Sequence, residues 1–568
     1  MKKILSLILT LMLLATVLVV PAAAEETYRE PIVLTMFSEL ANSAGDQGGW
    51  FGQILKDRFN VTLNVVSSNV DSNAWTSAVS AGDLGDIVCL GDMGEHFLTA
   101  LNADLLLDWN EVDLTPYTNI NAYLPAAMKK VSDFSAENGH EGVYGFSYAV
   151  ALEEGAWAEL TDPTYALQIR YDAWEKAGKP ELKTLEDLPA FLQALQDAVP
   201  ENESGEKVYA YGGFPDWEDC VMKFTWDLMT YYGYQEWDFL GVNYATRDVV
   251  NPLEEGSLYY RALKVNNALY RAGLFDPESN SQNFDAYNTK LSSGRYLMAM
   301  WGWIIGGYNS AEKAAEKNGF VTFMIEDSAP AMQTISTSGS NRMWALGANT
   351  ENADRALEVI DWLCSEEGII EQNYGPKGLT WDYDENGVPY MTEFGWQCME
   401  DGANTEMPAE YGGGTFQDGQ SIINHETIKV EQMIPGKTYS YSYKGWPCYA
   451  EHYATALSTA WSEEYAGGAT SGVDLYRKTG KVSVESPVAI AYAKASPSED
   501  AQQKRAMFAP VMKEYSWKCV MSETDEEFDE NWKYMVDTCK SYGYDDVVAE
   551  RMADIQNCFA AMDAAEAQ

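Results

Sequence analysis

The sequence predicts an α/β chain built from strand–helix–strand units around parallel sheet, with more than one hydrophobic core. Three observations carry this. Short apolar runs alternate with amphipathic helical patterns at the spacing of βαβ units. The chain has 568 residues, too many for one core, so two large lobes or three domains are expected. Apolar residues make up 46% and aromatics 13%, which separates this acidic chain from disordered acidic chains, since those are poor in aromatics.

The elements follow in order. Ile32 to Phe37 reads as a strand, and Asn42 to Gly49 is polar and rich in glycine. An amphipathic helix then places Trp50, Phe51, Ile54, Leu55 and Phe59 on one side. Val61 to Val66 is a second strand, Asn73 to Ala81 a short helix ended by Gly82, and Asp86 to Leu90 a third strand. Ligands of such sheets bind beyond the carboxyl ends of the strands. That rule points to the loop Ser38 to Trp50 and the turn Gly91 to Gly94. A second α/β region begins near residue 150, with a strand at Ala166 to Arg170 and a helix at Tyr171 to Ala177. Thr184 is a helix N-cap, with Asp187 three residues on as in a capping box, and the helix runs to Ala198. Ser257 to Ala272 is a helix closed by Gly273, Gly294 to Trp301 a strand entered from a turn, and Asp354 to Ser365 a helix. Asp525 to Ala564 is helical and acidic. No repeat or low-complexity linker interrupts the chain, so the domains are expected to be discontinuous.

The N-terminus sets the expected compartment. Lys2 and Lys3 precede an apolar run, Ile4 to Val20, and Pro21 to Ala24 offers small residues for cleavage, so residues 1–24 read as a secretory signal peptide. No other segment is apolar for long enough to span a bilayer. The first cysteine is Cys89, so the cleavage site has no lipobox cysteine and no attachment point for a lipid anchor. A periplasmic or secreted location follows. The formal net charge of -48 repels nucleic-acid phosphates and anionic lipids. The eight cysteines are widely spaced without a CxxC pair, so free buried thiols and disulfides both stay open.

Catalytic and cofactor motifs are missing. The four histidines lie far apart without HExxH, and the chain has no GxGxxG, no P-loop and no GxSxG elbow. No cofactor is expected. Among 86 acidic residues a carboxylate pair is uninformative, which leaves a glycoside hydrolase open. Asp382, Asp384, Asn386 and Glu393 fit the spacing of an EF-hand calcium loop. The same segment, Asp384-Glu385-Asn386-Gly387 between strand-like flanks, is a strong hairpin turn, and a β-hairpin is expected. Tryptophans are the remaining signal. Trp50, Trp157, Trp217, Trp301, Trp303 and Trp446 each stand beside or near glycine, where an indole suits stacking on the C–H face of a sugar ring. The alternative for each is ordinary packing in the core.

Several segments carry a family likeness. They are Ser80 to Ile87, with its Gly82-Asp83 and Asp86-Ile87; Ile169 to Trp174 followed by Lys183 to Asp187; Ala272 to Ser279 followed by Ser293-Gly294-Arg295; Gly375 to Trp381 with the Asp-Glu-Asn-Gly turn; and Glu530 to Tyr534 with Gly543-Tyr544. In order and spacing, along almost the whole mature chain, they resemble family 1 extracellular solute-binding proteins of ABC importers, above all a long subgroup of that family from anaerobic bacteria. Two features depart from its pattern: the missing lipobox cysteine, and Gly85 where the family often has proline.

The resemblance implies an α/β, two-lobed periplasmic-binding-protein-like fold with discontinuous lobes joined by hinge strands, a ligand in the interlobe cleft, and closure by hinge bending. It implies no covalent chemistry and names the permease subunits of an importer as partners. The expected lobes are residues 25–150 plus about 300–345, and residues 151–299 plus about 346–568. The expected ligand is a neutral oligosaccharide, with a peptide as the alternative, bound by a monomer. Trp50, Trp157, Trp301 and Trp303 would stack on sugar faces, joined by Trp217 and Trp446. Glu39, Asp92 and Arg342 would bond hydroxyls, with Arg342 and Trp344 on a crossover near the hinge. A secreted glycoside hydrolase and a glycan adhesin without a transport role are the competing classes.

Overall fold

The computed structural model describes residues 29–492 and 494–566. The expected signal peptide, 1–24, lies outside the described residues. The first sheet has six strands in the order Gly45–Asp46, Val61–Ser67, Ile32–Ser38, Ile87–Leu90, Met343–Leu346, Phe146–Ser147. Ile32–Ser38 runs parallel to both Val61–Ser67 and Ile87–Leu90, as the alternation of strands and helices predicts. Met343–Leu346 joins antiparallel, Met343 opposite Leu90 and Leu346 opposite Ile87. Successive residues of a strand face opposite sides of a sheet. Thus Ile87 and Cys89 enter one core with Trp344 and Leu346, while Val88 and Leu90 enter another with Met343 and Ala345.

The second sheet is built on Tyr165–Arg170. Met298–Trp301 and Phe320–Phe323 lie antiparallel on either side of it, and a register shift falls between Ala299 and Trp301. Helices Leu188–Ala198 and Leu258–Arg271 cover this lobe, and so do the three C-terminal helices Glu499–Val520, Asp525–Ser541 and Tyr544–Glu566. The capping box forms: the Asp187 carboxylate accepts from the Thr184 backbone N–H at 3.0 Å. Ser257 caps its helix by accepting from the N–H of Tyr260 at 3.1 Å. The expected long terminal helix is two helices, broken at Gly543, where φ is +86°.

The lobe boundaries differ from the expected ones. One pair of cores draws on residues 34–150 and 343–446, and the other lobe's core on residues 167–332 and 457–562. Of the stretch 300–345, only the final strand belongs to the first lobe. Trp301 and Phe320–Phe323 pair with Tyr165–Arg170 in the second. The chain then stays in the first lobe for about a hundred residues, through the helices Ala353–Leu363, Glu366–Tyr374 and Glu393–Asp401. Local pattern marks a strand without naming its partner, and partner choice decides the lobe.

Among the described residues the chain crosses between lobes three times. The first two crossings run side by side. Trp157 pairs with Thr334 and Ala156 with Ile335, the Ala151 N–H donates to Ser336 O at 3.0 Å, and the Tyr148 N–H donates to Arg342 O at 2.9 Å. The third follows helix Pro447–His452 and ends where Thr455 caps Ala456–Glu464.

The acidic segment at 382–393 forms the hairpin. Trp381–Tyr383 pairs with Pro389–Met391, and the Asp384 carboxylate accepts from the N–H groups of Asn386 at 2.8 Å and Val388 at 2.9 Å. Among the described residues no group of three His, Cys, Asp or Glu side chains is placed to hold a metal ion. All eight cysteines are free thiols, seven of them buried and Cys448 partly so. Among the described residues no helix is long and apolar enough to cross a membrane.

Candidate functional site: an indole platform on the second lobe

The strand Met298–Trp301 leaves its sheet into a 3-10 turn, Gly302–Gly307. This exit sets two indoles on different levels. Trp301 is 3% exposed and Trp303 55% exposed, with ring centroids 5.7 Å apart and planes 18° apart. Trp217, on the loop after Pro215, is 45% exposed and lies 5.8 Å from Trp301 and 6.0 Å from Trp303. Phe284 packs on both exposed indoles, at 4.7 Å from Trp217 and 6.0 Å from Trp303. Phe214 supports the group from below, fully buried against Trp217 and Trp301. Two open indole faces thus rest on a buried aromatic floor, which fixes their tilt before any ligand arrives.

Polar groups border the platform. A recess of about 390 Å³ is lined by Trp217, Asp219, Val221, Lys223, Glu236, Asp238 and Arg505. The Lys223 ammonium sits 5.4 Å from the centre of the Trp301 ring and is ion-paired with the buried Asp227. Arg505 holds Asp238 at 2.7 Å and also pairs with Asp219. Burial raises the Glu236 carboxyl above its usual range, partly offset by Lys223. Flat apolar faces beside fixed donors and acceptors suit a ring that has C–H groups on its face and hydroxyls on its rim.

The first lobe offers a smaller polar site at the strand ends. The Glu39 carboxylate accepts from the Gly91 N–H at 2.6 Å and pairs with His96 Nδ1. His96 stacks on Trp75 with centroids 4.2 Å apart. Glu39 is therefore engaged by the protein, and Asp92, in the next turn, is exposed. Arg342 lies over the ring of Tyr148 at 5.2 Å, at the crossing strands.

The structure brings together Trp217, Trp301 and Trp303 and leaves other expected residues elsewhere. Trp50 is fully buried, stacked on Phe416 at 5.3 Å, and its indole N–H donates to Phe416 O at 2.8 Å. Its neighbouring glycine has a packing reason: a Cβ on Gly49 would meet the Gly419 backbone at 2.3 Å. Trp344 is buried, donating to Glu426 O at 2.9 Å, and Trp446 is buried, donating to Ser440 O at 3.0 Å. These three indoles have no free face, so they are core residues and not stacking platforms. Trp157 is half-buried at the crossing strands, with the Arg477 guanidinium 5.0 Å from its ring centre. Sequence reasoning missed Lys223, Asp219 and Arg505, which no local pattern singles out, and Phe284, the first residue of an ordinary helix.

At the level of sequence, no family model and no curated protein matches the chain. Solved structures do match. An HMO-binding, ABC-transporter-associated solute-binding protein from Bifidobacterium longum infantis aligns at TM-score 0.55 and 16% identity, over 94% of this chain and 99% of that one. An extracellular solute-binding protein from Bifidobacterium longum subsp. infantis aligns at TM-score 0.55 and 15% identity, over 94% and 98%. The S. pneumoniae ABC-transporter substrate-binding protein FusA, solved with kestose, aligns at TM-score 0.51 and 15% identity, over 94% and 100%. The chain thus has the two-lobed fold of solute-binding proteins along nearly its full length.

Proposed function

We propose that this protein captures an oligosaccharide between its lobes and presents it to the permease of an ABC importer. One observation carries the reading: two exposed indoles, Trp217 and Trp303, are held over the buried Trp301 beside a polar recess, on a two-lobed fold whose chain crosses three times. Exposed apolar faces of this size are unfavourable in water unless a ligand covers them. The similar structures support the reading, since one is of an HMO-binding protein and another was solved with kestose. The acidic surface favours neutral cargo, and release of the intact ligand needs no bond to break. Export and a monomeric state belong to the same reading.

The test is a thermal-shift screen of the mature chain against oligosaccharides and peptides, followed by calorimetry and chromatography of the sugar. A ligand that binds only the folded state raises the melting temperature. The expected result is a shift with an oligosaccharide that is recovered uncleaved. Recovery of shortened sugar identifies a hydrolase instead, and a shift with peptides alone replaces the ligand class.

A further inference from the structure

We propose that Trp396, His452 and Tyr453 form a second ring-binding subsite, so that the ligand is an oligosaccharide long enough to reach from the platform at Trp217 and Trp303 to the third lobe crossing. This rests on the reading of the protein as a glycan binder. Trp396 and Glu400 come from helix Glu393–Asp401, and His452 ends helix Pro447–His452, directly before the chain enters the second lobe. Trp396 and His452 stack face to face, with centroids 3.9 Å and planes 3° apart. The Tyr453 ring stands at 90° to Trp396 and at 88° to His452, and Tyr453 is 40% exposed. A flat double layer meeting an upright phenol makes a corner in which one sugar ring rests its C–H face on one wall and its edge on the other. Glu400, half-exposed, holds His452 Nε2 at 2.7 Å and borders the corner with a carboxylate that accepts from hydroxyls.

Two further facts separate this group from core packing. Trp396, Tyr443 and Tyr449 are each only partly buried, and His452 and Tyr453 are exposed, whereas the core indoles of the same lobe are sealed. The group also stands at the third crossing, where the chain leaves the first lobe for the second. A Cβ on Gly302, between Trp301 and Trp303, would lie 3.3 Å from the Cβ of Asp162. Burial raises the Asp162 carboxyl, partly offset by Lys444 of the first lobe, and burial raises the Tyr449 hydroxyl to about 12, with Asp162 a lesser contributor. The charge of Asp162, beside the platform, is therefore felt on the helix that carries His452, where the Tyr449 ring lies 4.8 Å from that of Tyr453.

The experiment uses gluco-, xylo-, manno- and fructo-oligosaccharides of two to six units as probes, titrated by calorimetry into the mature chain and into Trp303→Ala, Trp396→Ala, Tyr453→Ala and Tyr453→Phe. The expected result is an affinity that rises about tenfold with length in the unmodified chain. Trp396→Ala and Tyr453→Ala should abolish that rise while binding the shortest ligand normally. Tyr453→Phe should retain it, and Trp303→Ala should weaken every length. A rise that survives both alanine variants at an unchanged melting temperature overturns the subsite and leaves the platform standing. Failure of every sugar to bind overturns the glycan reading itself, and the subsite with it.

Discussion

Three indoles of the first lobe and two of the second have opposite fates. In the first lobe Trp50, Trp344 and Trp446 are sealed, each donating its N–H to a backbone carbonyl. In the second lobe Trp217 and Trp303 present open faces over a sealed Trp301. Glycine stands close to indoles of both kinds. Beside Trp50 it lets two backbones close on a buried ring, since a Cβ on Gly419 would strike Trp50 Cδ1 at 2.4 Å. Beside Trp303, Gly302 turns the chain out of a strand, and at Gly306 a Cβ would meet nothing within 4 Å. The same pair of residue types therefore marks tight packing in one place and a presented surface in the other, and the neighbour from far along the chain decides which.

Four substitutions sharpen or break that contrast. Trp50→Ala should cost about 3–5 kcal/mol of stability, measured by denaturant unfolding, and leave the ligand affinity of the folded fraction unchanged. A loss of affinity without a loss of stability would return Trp50 to the site. Trp303→Ala should do the reverse, weakening binding by about 1–3 kcal/mol in calorimetry at an unchanged melting temperature. Unaltered affinity there removes the platform.

The third concerns the support beneath Trp217. The next residue, Glu218, accepts from Trp517 Nε1 at 2.8 Å and from the Lys223 N–H at 3.2 Å, and burial raises its carboxyl from 4.5 to about 7. The folded chain therefore holds this proton across a window in which the unfolded chain has released it. Glu218 thus contributes stability that is greatest at the acid end of the window and declines as pH rises through about 7. Melting temperature against pH should show that decline, and Glu218→Gln should flatten it. The smallest effect is at the hairpin. Asp384→Ala removes the acceptor of two N–H groups and should lower the melting temperature slightly, while added calcium or a chelator leaves the melting temperature of the unmodified chain in place. A calcium-dependent shift would restore the EF-hand reading.

Much of the fold was legible because its signals are local. The strands Ile32–Ser38, Val61–Ser67 and Ile87–Leu90 are short apolar runs between clear breakers, and Thr184, Ser257 and Gly82 are caps whose chemistry acts within four residues. The lobe boundaries were not legible, because Met343–Leu346 reaches its partner Ile87–Leu90 from some 250 residues away while Met298–Trp301 turns to Tyr165–Arg170. The site was half legible for the same reason. Trp301 and Trp303 stand at a strand end and read as exposed or packed alike. Trp50 is sealed by Phe416, 366 residues further along, and no window of sequence contains both. Trp75 has no adjoining glycine, and Trp396, although it follows Gly395, lies within a helix and not on a loop, so neither carries the signal of an indole beside a loop glycine, although each stacks on a histidine held by a glutamate.

The three crossings also govern when each half of the molecule can exist. The first lobe's core draws on residues up to 446, and the second's core includes Met562. A ribosome making this chain from its N-terminus releases the strands of the first sheet long before the strand at Met343–Leu346 that must join them, and the second lobe waits for its last helix. The first lobe's cores stay open until residue 446 has been made and the second lobe's until residue 562, so a nascent chain passes most of its synthesis with apolar surface uncovered. That delay leaves apolar surface open to non-native contacts while the chain is being made.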